Sequence, residues 1–184
     1  MANFMILRKI IEMPNAKMLL GNHELMMLNA IENDADLRLW YSNGGKVTHE
    51  NLKQLEEPVQ KQILDYVHAL PLNMDVTVNN QCYKLVHGAP VEQYGDYQLF
   101  YENERDFAVW KRFNTYDYNE EPYTIIFGHT PTKHYSWDRP LKIWHGIGMI
   151  GIDCGSGYPQ NSGGRLACLR LDDMREFYSE ESVD

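Results

Sequence analysis

An α/β fold is expected from short apolar runs that each end in a polar loop, with stretches of helical periodicity between them. Three such runs are 17–20 before Gly21-Asn22-His23-Glu24, 82–86 before His87-Gly88, and 123–127 before Gly128-His129-Thr130-Pro131. An open sheet gathers its functional loops along one edge, so residues far apart in sequence can meet there.

Taken in order, Phe4, Leu7, Ile10 and Ile11 recur at helical spacing until Pro14-Asn15 breaks the pattern, which gives an amphipathic helix ending in a turn. Residues 17–20 read as a strand, and Leu25, Met26, Leu28 and Ile31 resume a helix. Helical stretches around 37–41, 50–55 and 58–69 form an insert or cap at about 37–70, the last with Pro58 in its first turn, where a missing N–H costs nothing. Alternation over 74–78, a turn at Asn79-Asn80 and the run 82–86 predict a β-hairpin. A helix over 102–113 and a buried-type strand over 123–127 follow. Short strands are expected at 142–144, 149–152, 166–171 and 176–178, between glycine-rich turns. The chain has no internal repeat, low-complexity tract or evident linker.

At 184 residues and 43% hydrophobic content the chain can bury one sizeable core, so a single domain over 1–184 is expected. A formal charge of −9 and a pI near 5.2 argue against a nucleic-acid partner, because a phosphate backbone selects a basic face. A phosphoester substrate stays open, since bound cations dominate a local field whatever the net charge. Cys82, Cys154 and Cys168 contain no Cys-x-x-Cys pair, which suggests neither a disulfide framework nor a thiolate zinc site and fits a reducing cytoplasm. Arg8, Lys9 and Glu12 interrupt the apolar N-terminal residues, and no apolar run approaches spanning length, so no signal peptide, anchor or membrane partner is expected.

Asn22 or His23, His87 and His129 stand where the three runs end, and imidazole with an amide oxygen suits a borderline divalent cation. Each of the seven histidines taken alone reads as a hydrogen-bonded loop or core residue; the joint pattern is what points to a metal. His49, His68, His134 and His145 read as surface or turn residues, and the aromatics over 135–144 as packing.

Gly21-Asn22-His23-Glu24, Val86-His87-Gly88-Ala89 and Phe127-Gly128-His129-Thr130-Pro131, in this order, resemble three successive signature blocks of the calcineurin-like metallophosphoesterases. The Gly-Asn-His-Glu form, with Trp110-Lys111-Arg112 between the later histidines, is most similar to bacterial and phage serine/threonine protein phosphatases. The resemblance runs from about Ile6 to the C-terminus and takes in Ile152-Asp153-Cys154-Gly155-Ser156-Gly157 and Gly163-Gly164-Arg165-Leu166-Ala167 as closing strands. It implies an α/β (α+β) fold: a metallophosphoesterase-type β-sandwich flanked by helices, incomplete at its N-terminus. It further implies that Asn22, His87 and His129 bind one metal, that His23 is the general acid protonating the leaving oxygen, and that Arg112 clamps phosphoryl oxygens. Imidazole can hold a proton near neutral pH, and a guanidinium fork grips two oxygens at once. Arg112 also fits a solvated charge at a helix end. Glu24 either orients His23 or stabilises the first turn of its helix; Asp153 either holds a histidine ligand or makes an ordinary turn.

Two family blocks are missing: Asp-x-His-Gly and Gly-Asp-x-x-Asp-Arg-Gly, whose first aspartate bridges the two metals. Two-metal phosphoryl transfer needs that carboxylate. Asn22, His87 and His129 are neutral, so at most one weak site for a divalent metal (manganese, iron or zinc) is expected where the family holds two. Either the chain is a phosphatase shortened at its N-terminus, by truncation or a misassigned gene start, or it is a natural fragment that has lost activity. Missing strands would leave sheet edges that a homo-oligomer could cover. The expected function is metal-dependent hydrolysis of a phosphoric monoester, a phosphorylated protein or small phosphoester, by direct attack of a metal-activated hydroxide, with weak or no activity in this chain. A diadenosine tetraphosphatase-like nucleotide phosphoesterase and a non-catalytic binding module on a decayed phosphatase fold are the alternatives.

Overall fold

The computed structural model describes residues 2–159 and 161–179. The chain, expected as one domain from its length, divides into two compact units, Met1–Pro71 and Leu72–Asp184. Among the described residues no helix is long and apolar enough to cross a membrane.

The first unit is helical: α1 (Ala2–Glu12), α2 (Asn22–Glu32), α3 (Leu37–Ser42), α4 (Lys46–Lys53) and α5 (Glu57–His68). Leu25, Met26, Met27 and Leu28 of α2 are all buried, together with Leu20, Trp40, Leu52, Ile63 and Val67. Pro58 sits in the first turn of α5, as its lost N–H allows. Residues 17–20, expected as a strand, are not one, and the first unit holds no strand among its described residues. A strand needs a ladder of partners; the Leu20 N–H instead makes a single 2.9 Å bond to the Pro71 carbonyl. His49, expected at the surface, is buried: its Nδ1 lies 2.7 Å from the Tyr41 hydroxyl and its ring packs on Trp40. Burial, reinforced by Lys53, pushes its pKa down and favours the neutral ring.

The second unit is built on a five-stranded sheet in the order β1-β2-β3-β5-β4. Its strands are β1 (Asn73–Val78), β2 (Gln81–Val86), β3 (Thr124–Phe127), β4 (Trp144–Gly146) and β5 (Met149–Gly151). The hairpin turn is Asn79-Asn80, both at positive φ (50° and 64°), a conformation that asparagine tolerates and that matches the twist of the flanking strands. β2, β3 and β5 run parallel, while β1 and β4 close the two edges antiparallel. One face packs Val86, Phe107, Phe113, Ile125, Phe127 and Met149. On the other, Tyr83, Ile126, Ile143, Ile150 and Cys154 meet apolar residues of the hairpin β6 (Ala167–Arg170) and β7 (Arg175–Tyr178). Ile125/Ile126 and Met149/Ile150 thus divide between opposite faces, as the period of two requires. The chain is mixed α/β.

Helix α6 (Glu104–Trp110) is shorter than the 102–113 expected. The Asn103 side chain accepts the Asp106 N–H and starts it; Lys111 at φ −60° and ψ 132° leaves the helical region and ends it. Buried Lys84 pairs with Asp75 and Glu92, each at 2.8 Å. Burial opposes its charge, yet these bonds outweigh it and hold the ammonium above its ordinary pKa.

Candidate functional site

The three parallel strands all discharge at one edge. β2 runs into His87, β3 into Gly128-His129, and β5 into Ile152-Asp153, with Val86 in register with Phe127 and Phe127 with Gly151. Backbone bonds hold the loops side by side: Gly128 N–H to the His87 carbonyl (3.0 Å), Ile152 N–H to Phe127 (2.9 Å) and Thr132 N–H to Asp153 (2.8 Å). The His87 and His129 rings consequently lie 5.0 Å apart between centroids, tilted by 49°. Trp110 meets the His129 ring edge-on at 5.8 Å.

His129 has φ +60°, a left-handed conformation that costs a non-glycine residue about 1–2 kcal/mol. Such strain persists only where the surroundings over-determine it, and it concentrates at functional positions.

Gly88 follows His87 for a steric reason. A Cβ there would lie 2.8 Å from the carbonyl oxygens of both Ala108 and Lys111, and the Gly88 and Ala89 N–H groups bond the Ala108 carbonyl at 2.9 and 3.1 Å. This contact fastens the end of α6 to the His87 loop and so positions the next residues, Lys111 and Arg112. Arg112 Nη1 donates to the His129 carbonyl (3.1 Å) and to Thr130 Oγ1 (3.4 Å). Exposed yet tethered, its guanidinium borders a cleft of about 830 Å³ that His129, Tyr116, Tyr135 and Tyr158 also line.

With metal–nitrogen bonds of about 2.0–2.1 Å, two imidazoles on one cation place their ring centres roughly 5 Å apart. The His87–His129 centroid distance of 5.0 Å matches that value and also lies in the ordinary range of contacts between aromatic rings. Among the described residues no group of three or more His, Cys, Asp and Glu side chains is arranged to hold a metal. Asp153 uses Oδ1 to accept the Gly155 N–H at 2.9 Å, an Asx-type turn before a glycine at φ +75°.

Asn22, His23 and Glu24 belong to the first unit, in the first turn of α2. Asn22 is buried, His23 exposed and Glu24 half-buried. The helix has no side-chain cap, since Gly21 occupies the N-cap, and Glu24 supplies the carboxylate of its first turn. His23 and Glu24 border a cavity of about 440 Å³ that is otherwise largely apolar, with Phe4, Met27 and Trp40 in its wall.

Sequence reading overlooked Thr130, which is buried and accepts from Arg112; a hydroxyl one place after a site histidine was the available signal. It also overlooked Tyr116 and Tyr158, which carried none. No protein-family model matches the chain, and no curated protein matches it.

Proposed function

We propose that the chain is a metal-dependent phosphoric monoester hydrolase of the metallophosphoesterase type, of the serine/threonine protein phosphatase kind. The observation that carries this reading is the His87–His129 pair, rings 5.0 Å apart, beside an arginine bonded to the His129 loop. A divalent cation (manganese, iron or zinc) held by His87 and His129 would supply Lewis-acid polarisation of a phosphoryl oxygen and an activated water. Arg112 would bind two phosphoryl oxygens through its planar fork, which its Nη1 bonds to the His129 carbonyl and Thr130 Oγ1 hold beside the His129 loop. The proposed roles of Asn22 as a third ligand and His23 as general acid to the leaving oxygen rest on the sequence resemblance alone, as do those of Glu24 and Asp153 as supports.

The test is hydrolysis of p-nitrophenyl phosphate with added manganese, comparing this chain with a version extended upstream by Asp-x-His-Gly and Gly-Asp-x-x-Asp-Arg-Gly blocks. Activity in the extended form that Arg112→Ala removes supports the proposal. Inactivity of both forms overturns it and favours a binding module.

A further inference from the structure

We infer that the cleft beside Arg112 is a subsite for the aromatic group of an aryl phosphomonoester. The inference rests on the reading of Arg112 as the phosphoryl contact and adds what lies on the other side of the ester oxygen.

Three tyrosines line the cleft. Tyr116 is 89% exposed, and Tyr158 forms part of the wall. Tyr135 is a fixed surface: its ring stacks on Trp144 at 4.7 Å, and its hydroxyl donates to the Phe113 carbonyl at 2.9 Å. Tyr158 is set by a turn in which its N–H bonds the Gly155 carbonyl at 2.9 Å; a Cβ on Gly155 would come within 2.8 Å of the tyrosine ring. Lys133 Nζ lies 4.3 Å from the centroid of that ring. Arg112 and Asp117 both line the cleft, and Lys111 approaches the Asp117 carboxylate at 4.0 Å.

On a chain of net charge −9, the cleft sets an arginine beside three tyrosines. It complements an anion that carries a planar ring. Its volume of about 830 Å³ falls among pockets that enclose small organic ligands, roughly 300–1,000 Å³. A phosphate on Arg112 satisfies the guanidinium, and the attached ring gains face or edge contact with tyrosine. An alkyl phosphate would satisfy the arginine and leave the tyrosines in water. Phenyl phosphate and a phosphorylated tyrosine side chain share the required chemistry.

Binding to the full chain, followed by amide chemical shifts in a ¹H–¹⁵N titration, tests the inference with phenyl phosphate, ethyl phosphate, a phosphotyrosine peptide and adenosine 5′-monophosphate. Phenyl phosphate should bind about three- to tenfold more tightly than ethyl phosphate. Tyr116→Ala and Tyr158→Leu should each narrow that gap while leaving ethyl phosphate binding unchanged, which also reports that the variants are folded. A phosphotyrosine peptide binding like phenyl phosphate identifies the protein-borne source; phenyl phosphate binding without the peptide identifies a small aryl ester. Equal binding of phenyl and ethyl phosphate, with both lost in Arg112→Ala, would overturn the aromatic subsite and leave the phosphate reading standing. Binding of neither would overturn both. Tighter, tyrosine-dependent binding of adenosine 5′-monophosphate would overturn the aryl assignment.

Discussion

Arg112 Nη1 donates to the backbone carbonyl of His129 at 3.1 Å, so the proposed phosphate contact takes its orientation from the loop that carries His129. Lysine at this position keeps the charge but cannot bond the loop and grip two further oxygens from one planar group. Arg112→Lys should weaken inorganic phosphate binding about ten- to a hundredfold. A ¹H–¹⁵N titration measures this, and affinity equal to the parent's would remove Arg112 from the site.

The left-handed backbone at His129 makes a second test. Asparagine tolerates positive φ, whereas a β-branched side chain does not. His129→Val should therefore cost about 1–3 kcal/mol more stability than His129→Asn, read from urea midpoints. Both should lose zinc binding measured by calorimetry, as should His87→Ala. Equal stabilities for the two variants would mean that the loop relaxes freely.

Gly88→Ala forces a methyl group against two backbone oxygens 2.8 Å away, neither of which can rotate aside. A loss of about 1–3 kcal/mol is expected in thermal unfolding. Gly95→Ala, where an added Cβ meets nothing within 4 Å, is the control and should change little.

The far side of the sheet predicts a pH profile. Burial works against the Glu176 carboxylate, but bonds from Tyr178 and His145 outweigh it and hold the group below its ordinary 4.5. That stability is present above the ordinary value and is lost as pH falls through the lowered one. Burial and the bond to Glu176 push Tyr178 up to about 12 from an ordinary 10.0, so its contribution is complete below the ordinary value and lost as pH rises through the raised one. Denaturation midpoints across pH should show Glu176→Gln flattening the acid limb and Tyr178→Phe the alkaline limb. Unchanged limbs would mean that these groups titrate as they do in the unfolded chain.

Much of the fold is legible in the sequence because its signals are local. Asn79-Asn80 between alternating runs specifies a hairpin by itself, and His87 and His129 fall just past strands whose apolar character is plain. What could not be read is relational. Residues 17–20 have a strand's composition, but being a strand depends on a neighbour, and Leu20 finds only Pro71. The burial of His49 follows from Tyr41 and Trp40 meeting it across two helices. The Asp153 carboxylate could be a ligand support or a turn from sequence; the Gly155 N–H takes one of its oxygens. The tyrosine cleft joins residues around 116, 135 and 158 that share no pattern along the chain.

The parallel pairing of β2 with β3 also has a temporal side. Hairpins such as β1–β2 close through two residues, but a parallel pair must first carry the intervening chain, here including α6, across the sheet, and such distant pairings form slowly. The two imidazoles therefore become neighbours only after that crossover has docked. During synthesis on a ribosome, a nascent chain that has emerged as far as His87 has no partner ring to offer, so any ion the pair retains is captured late, as a mark of completed folding rather than as its seed.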